Sequence, residues 1–214
     1  MYKRQPQELA PLNIPYVCCS YDNQYGTLPP DSYASVSIAD EEEACRAVTE
    51  LYRCGHRRIA ALVSGTEDRS ISQLRYQGYV RALAAHDLPL DPALVIEAGS
   101  FDIRQSYLAM QQHLLTGAQF TALFAISDNM AIGAMRALRE AGRRIPEDCS
   151  VIAIDGLTIS DYINPTLTTL CQPVEHMGRR SVEILLDMVE HRGGPIRETA
   201  HTTLRTGESV RDIS

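Results

Sequence analysis

No stretch of the 214 residues approaches the roughly 18 to 20 consecutive apolar residues that a membrane-crossing helix needs. The opening MYKRQPQELAP has no apolar segment of the secretory type, so a signal peptide is not expected there. Positive charge is scarce: 20 Lys and Arg stand against 27 Asp and Glu, a formal net charge of −7. A nucleic-acid surface needs a basic face, and these residues do not supply one. The short basic run Arg53, His56, Arg57 and Arg58 is expected at a helix C-terminus, where cations suit the dipole. The six cysteines (Cys18, Cys19, Cys45, Cys54, Cys149 and Cys171) include no C-x-x-C pair and no Cys/His cluster at zinc spacing, so no metal is expected. Cys18, Cys19 and Cys149 lie in or beside apolar strand runs and read as small buried hydrophobes in a reducing cytoplasm; a redox switch is the alternative. There is no G-x-S-x-G elbow and no P-loop, and His56, His86, His113, His176, His191 and His201 are scattered. No cofactor is expected.

What is present is an ordinary apolar share, 44%, in alternating strand and helix patterns. That alternation points to βαβ units and a parallel sheet, an α/β fold. Strands are expected at 14–19, 33–38, 59–63, 94–98, 122–126, 151–154 and 202–204. Helices are expected at 40–54, 70–86, 103–115, 129–141 and 174–190. Asp40 is placed to cap the first helix, with Glu43 following as in a capping box. The strands at 122–126 and 151–154 are wholly apolar, as when both faces of a sheet are covered. They run into Ser127-Asp128 and Asp155-Gly156. Each therefore delivers a carboxylate to its C-terminal end, the edge where ligands bind in open α/β sheets.

Four blocks carry a resemblance. GHRRIAALVSG (55–65), RYQGYVRAL (75–83), SDNMAIGAMRALREAGRRIPEDCSVIAIDG (127–156) and NPTLTTLCQPVEHMG (164–178) resemble, in order and spacing, the effector-binding domain of LacI/GalR-type bacterial transcription regulators. The likeness runs from about Leu12 to Arg205. It implies a type I periplasmic-binding-protein-like fold. Such a fold has two Rossmann-like lobes with parallel sheets, a small molecule between them, and an N-terminal helix-turn-helix for operator DNA. It implies one lobe from 8–39 plus 173–199 and another from 40–172 plus 200–214. Against that pattern the helix-turn-helix, the hinge and the opening βαβαβ of the first lobe are absent. The chain thus reads as roughly the last two thirds of a regulator, with an incomplete first lobe. Met1 to Gln5 also resembles the translation of a sequencing-library transposon end, so 1–7 is expected to be a non-native or disordered leader; a true short gene is the alternative. The strand at 14–19 is then expected to have an unpaired side, an edge that invites aggregation.

The resemblance also implies ligand contacts. Arg75, which opens the R-x-x-G-Y block, and Arg69 match effector-contacting arginines. A planar guanidinium donates paired hydrogen bonds to hydroxyl pairs or a carboxylate. Asp155 matches a strand-end carboxylate that accepts from adjacent ligand hydroxyls. Ser127 and Asp128 match a second contact pair, Phe101 an aromatic that stacks on a sugar or base, and Gln172 a residue at a crossing between lobes. Each of the first six has a plainer reading: a helix-end arginine, a turn residue before Gly156, a helix cap, a core Phe. Many members carry Asp where this chain has Ser20; Tyr21 is then expected to stack on the ligand and Asp22 to stand in for the lost acceptor, with a different ligand as the alternative. Asp128 and Asp155 are both expected to face Arg75.

The implied function is binding of a small effector, a sugar or related metabolite, whose differential affinity shifts lobe closure and so operator affinity. The implied setting is a cytoplasmic regulator, homodimeric at full length, that meets DNA only through its N-terminal headpiece and has no membrane partner. A periplasmic sugar-binding protein of an ABC transporter shares the fold and is the alternative. An enzyme is the third class. Asp128 and Asp155 could form a glycosidase-type acid/base pair, but a binding role accounts for both more economically, so no catalysis is expected.

Overall fold

The structure is a computed structural model that describes residues 14–20, 33–65 and 71–214. Tyr21, Asp22, Arg69 and the expected leader at 1–7 lie outside the described residues. In chain order the elements are β1 (Val17–Cys19), β2 (Ala34–Ile38), α1 (Asp40–Arg53), β3 (Ile59–Val63), α2 (Ile71–Ala85), β4 (Val95–Glu97) and α3 (Ile103–Leu115). They continue with β5 (Ala122–Ala125), α4 (Asp128–Glu140), β6 (Ser150–Asp155), β7 (Thr168–Cys171), α5 (Val174–Val189), β8 (Arg197–Ala200) and β9 (Thr203–Arg205). The chain divides into two compact units, Met1–Ala39 with Gln172–Thr202, and Asp40–Cys171 with Thr203–Ser214. No described helix is long and apolar enough to cross a membrane.

The smaller unit has a parallel three-stranded sheet with β2 between β1 and β8. Among the described residues β1 is paired on one side only. α5 packs on β1 and β2 and buries Met177 and Ile184, two turns apart on one helix face.

The larger unit has a six-stranded sheet in the order β4-β3-β5-β6-β7-β9, parallel except for β9. β3 and β5 are buried along their whole length, as expected for aliphatic strands covered on both faces. Helices pack in pairs, α1 on α2 and α3 on α4. Gly78 permits the first pairing: a Cβ there would sit 2.2 Å from the Glu41 carbonyl oxygen and 2.7 Å from Ala44 Cβ. On the same helix the Tyr79 hydroxyl donates to Ile59 O at 2.9 Å and ties α2 to the start of β3.

Two strands carry no signal in the hydrophobic pattern. β7 is Thr-Thr-Leu-Cys, and its buried threonines are satisfied by hydrogen bonds rather than by apolar neighbours. β8 is Arg-Glu-Thr-Ala, polar in sequence, yet it pairs with β2, and Arg197 lies over the Tyr33 ring at 5.3 Å. The basic run after α1 is only partly a helix-end feature. Arg53 closes the helix, but Arg57 stacks on Tyr52 at 4.0 Å, Arg58 reaches Asp91 at 3.2 Å, and His56 is buried. The cysteines differ from one another. Cys149 is buried and its thiol is pushed up to about 12 by desolvation, whereas Cys18 is half-buried and Cys19 exposed.

Candidate functional site

Because β3, β5, β6 and β7 are parallel, their C-terminal ends share one edge of the larger sheet. Arg75, one turn into α2, enters this edge. It is 3% exposed, and its guanidinium is held through Nε and Nη1. Nε donates to Asp40 Oδ1 at 2.8 Å, while Nη1 donates to Asp155 Oδ1 at 3.2 Å and to the carbonyl of Ile126. Burial works against the Arg75 charge, but Asp40 and Asp155 outweigh it and hold its pKa above the ordinary value. The three groups are not equally sheltered. The Asp40 side chain is 7% exposed and that of Asp155 22%, so Asp155 is the carboxylate of this cluster that meets solvent.

Asp155 ends β6 with φ of 145°, and Gly156 follows at 78°. Both lie where an L side chain is strained. Gly156 also has no room for one, since a Cβ would stand 2.6 Å from Cys171. The turn aims the Asp155 carboxylate at Arg75 and outward together.

Ser127 is 3% exposed and caps α4, its hydroxyl accepting from Met130 N at 3.3 Å. Asp128 does not face Arg75. It is wholly buried and accepts from Leu157 N at 2.7 Å, Ser160 Oγ at 2.7 Å and Thr169 Oγ1 at 2.5 Å. The expected pairing of Asp128 with Arg75 is therefore corrected: the second carboxylate on Arg75 is Asp40. Asp40 reads in sequence as a helix cap, and its ion pair with a residue far along the chain leaves no local pattern. Its place as one Asp ahead of three Glu is the only hint. Phe101, 38% exposed, follows β4 at the same edge and is not a core side chain. In the smaller unit Ser20 donates to Gln172 Oε1 at 3.5 Å, and Ser20 has φ of 60°.

A family model described as a periplasmic binding protein-like domain matches residues 48–210. The chain belongs to that family. Within it, the chain is 34% identical over 205 residues to the HTH-type transcriptional regulator CelR of Thermobifida fusca, a match covering 95% of this chain and 59% of the relative. It is 37% identical over 165 residues to the HTH-type transcriptional repressor PurR of Vibrio atlanticus, covering 77% of this chain and 49% of the relative. Among solved structures, a CelR–cellobiose complex superposes with a TM-score of 0.87 at 32% identity, covering 97% of this chain and 62% of that one. The family relatives named here are transcriptional regulators, and the chain spans about half to three fifths of their length.

Proposed function

We propose that this chain is the effector-sensing part of a LacI-type transcriptional regulator and that its effector is a sugar. The observation that carries the reading is the Asp40–Arg75–Asp155 cluster. A buried guanidinium is locked by one sheltered carboxylate, and a second, solvent-facing carboxylate is held at the sheet edge. A carboxylate in that setting accepts hydrogen bonds from two adjacent hydroxyls, which is sugar chemistry. Exposed Phe101 at the same edge offers a ring face to the apolar side of a pyranose. Arg69, Tyr21, Ser20, Ser127 and Gln172 are further contacts in this reading. The cellobiose in the complex of the similar regulator CelR supports the same ligand class. Similarity to regulators favours this role over that of a transporter's binding protein and over catalysis. Effector binding would favour one conformational state and shift its population. Coupling to operator DNA through a headpiece, homodimerisation and a cytoplasmic setting belong to the same proposal.

The test is a thermal-shift panel of mono- and disaccharides, nucleobases and sugar acids on the purified chain, repeated with Asp155→Asn. A saccharide at 100 times its Kd is expected to stabilise by about 2.7 kcal/mol. Asp155→Asn is expected to abolish most of that gain. Stabilisation by nucleobases or sugar acids alone, or a saccharide shift that survives Asp155→Asn, would reject the assignment.

A further inference from the structure

Asp128 is an acidic residue, wholly buried and unused by the effector cluster. Three donors from inside the unit meet its carboxylate, and with 0% of the residue exposed it presents no acceptor to a ligand. They come from two pieces of chain. Leu157 and Ser160 follow β6 directly, and Thr169 lies in β7, the strand beside it. Directly before Leu157 sits the Asp155–Gly156 turn, with both residues at positive φ and Gly156 pressed against Cys171. A backbone of this kind persists only where its surroundings over-determine it. Upstream, the β6–β7 ladder pairs Asp155 with Cys171. Downstream, the Asp128 carboxylate holds Leu157 and Ser160.

We propose that Asp128 is a positioning residue for the effector site: it clamps the Asp155–Gly156 turn so that Asp155 presents its acceptor beside Arg75. This rests on the reading of Asp155 as the effector's acceptor. It gives Asp128 a role through another residue, in place of the direct ligand contact that its strand-end position suggests.

The test compares Asp128→Ala with Asp128→Asn in the full chain. Asn has the same shape. With its oxygen toward Leu157 N and Ser160 Oγ, its amide N–H donates to Thr169 Oγ1, and all three links survive. Ala removes all three and strands buried donors. One readout needs no ligand: amide hydrogen exchange at Leu157. Protection is expected to fall at least about tenfold in Asp128→Ala and to hold in Asp128→Asn, with amides of β3 and β5 unchanged in both. The other readout is calorimetric affinity for the saccharide that stabilises the wild type most. It is expected to drop at least about tenfold in Asp128→Ala and to stay near wild type in Asp128→Asn. Equal loss of affinity in both variants, with Leu157 still protected, would show that the charge acts on the ligand directly and overturn the proposal. Unchanged Leu157 exchange in Asp128→Ala would overturn it as well. If no saccharide binds the wild type, the effector reading fails while the exchange pattern still decides whether Asp128 holds the turn. Should Asp128→Ala not fold, Ser160→Ala and Thr169→Val each remove one link. Both are then expected to speed Leu157 exchange and weaken saccharide binding, and no change in either variant counts against the clamp.

Discussion

Taking a guanidinium out of water costs several kcal/mol, and Arg75 bears that cost because two carboxylates and a carbonyl meet it inside the larger unit. The two carboxylates divide the work by exposure. Asp40 is sheltered, so Asp40→Ala leaves a buried charge short of its closest partner and is expected to destabilise the chain by about 3 kcal/mol in urea denaturation. Asp155 is partly open to water, which covers for the lost partner. Asp155→Ala is therefore expected to lower stability by about 1 kcal/mol while removing saccharide binding. Comparable destabilisation by the two variants would contradict this division of labour between Asp40 and Asp155.

At the scale of elements, Arg75 reaches Asp40 because α1 and α2 pack closely, and Gly78 sets that approach. Gly78→Ala places a methyl against the Glu41 carbonyl, which main chain cannot cheaply yield. It is expected to cost about 1 to 3 kcal/mol and to weaken saccharide binding with it, read by paired denaturation and calorimetry. An unaffected affinity alongside lost stability would show that the helix spacing does not reach the cluster. Local pattern made most such elements legible. The helix at 103–115 and the strand at 59–63 are where periodicity and apolar runs put them, and α4 is displaced by one residue because Asp128, not Asn129, begins it. β7 and β8 were illegible for a physical reason: they are stabilised by hydroxyl and ionic partners distant in sequence, so they carry no apolar run. The candidate site divides in the same way. The strand-end carboxylate Asp155 and the motif arginine Arg75 are visible in sequence. The roles of Asp40 and Asp128 depend on which long-range donors reach them, and no spacing rule encodes that.

At the scale of the larger unit, the C-terminal segment closes the fold, and a histidine sits at the closure. Ser209 links β6 and β7, its hydroxyl donating to Val151 O at 2.6 Å and accepting from Thr168 N at 2.8 Å. Farther on, Ile213 N donates to Cys54 O at 2.9 Å, and Arg211 N donates to Ser150 Oγ at 3.1 Å. That serine hydroxyl lies 2.9 Å from His56 Nε2, and His56 Nδ1 lies 3.0 Å from Thr121 Oγ1. Both ring nitrogens of His56 thus face hydroxyls inside the unit. Desolvation lowers the His56 pKa below 6.5; a backbone hydrogen bond with Arg211 and the Asp212 charge oppose it, while the Arg211 and Arg57 charges add to it. His113 is lowered by burial too, and its Nε2 has no hydrogen-bond partner among the described residues. The sign follows from linkage: below pH about 6.5 the unfolded chain takes up protons that the folded chain refuses, so stability is full above that pH and falls as acid is added. Each such histidine contributes a slope of up to about 1.4 kcal/mol per pH unit between its unfolded and folded pKa. His56→Gln cannot titrate and is expected to flatten that slope below pH about 6.5, whatever it does to stability at neutral pH. Urea melts across that range measure it directly. A slope equal to that of the wild type would mean that His56 is protonated as readily in the folded chain as in the unfolded one, and that the C-terminal closure does not depend on its neutral ring.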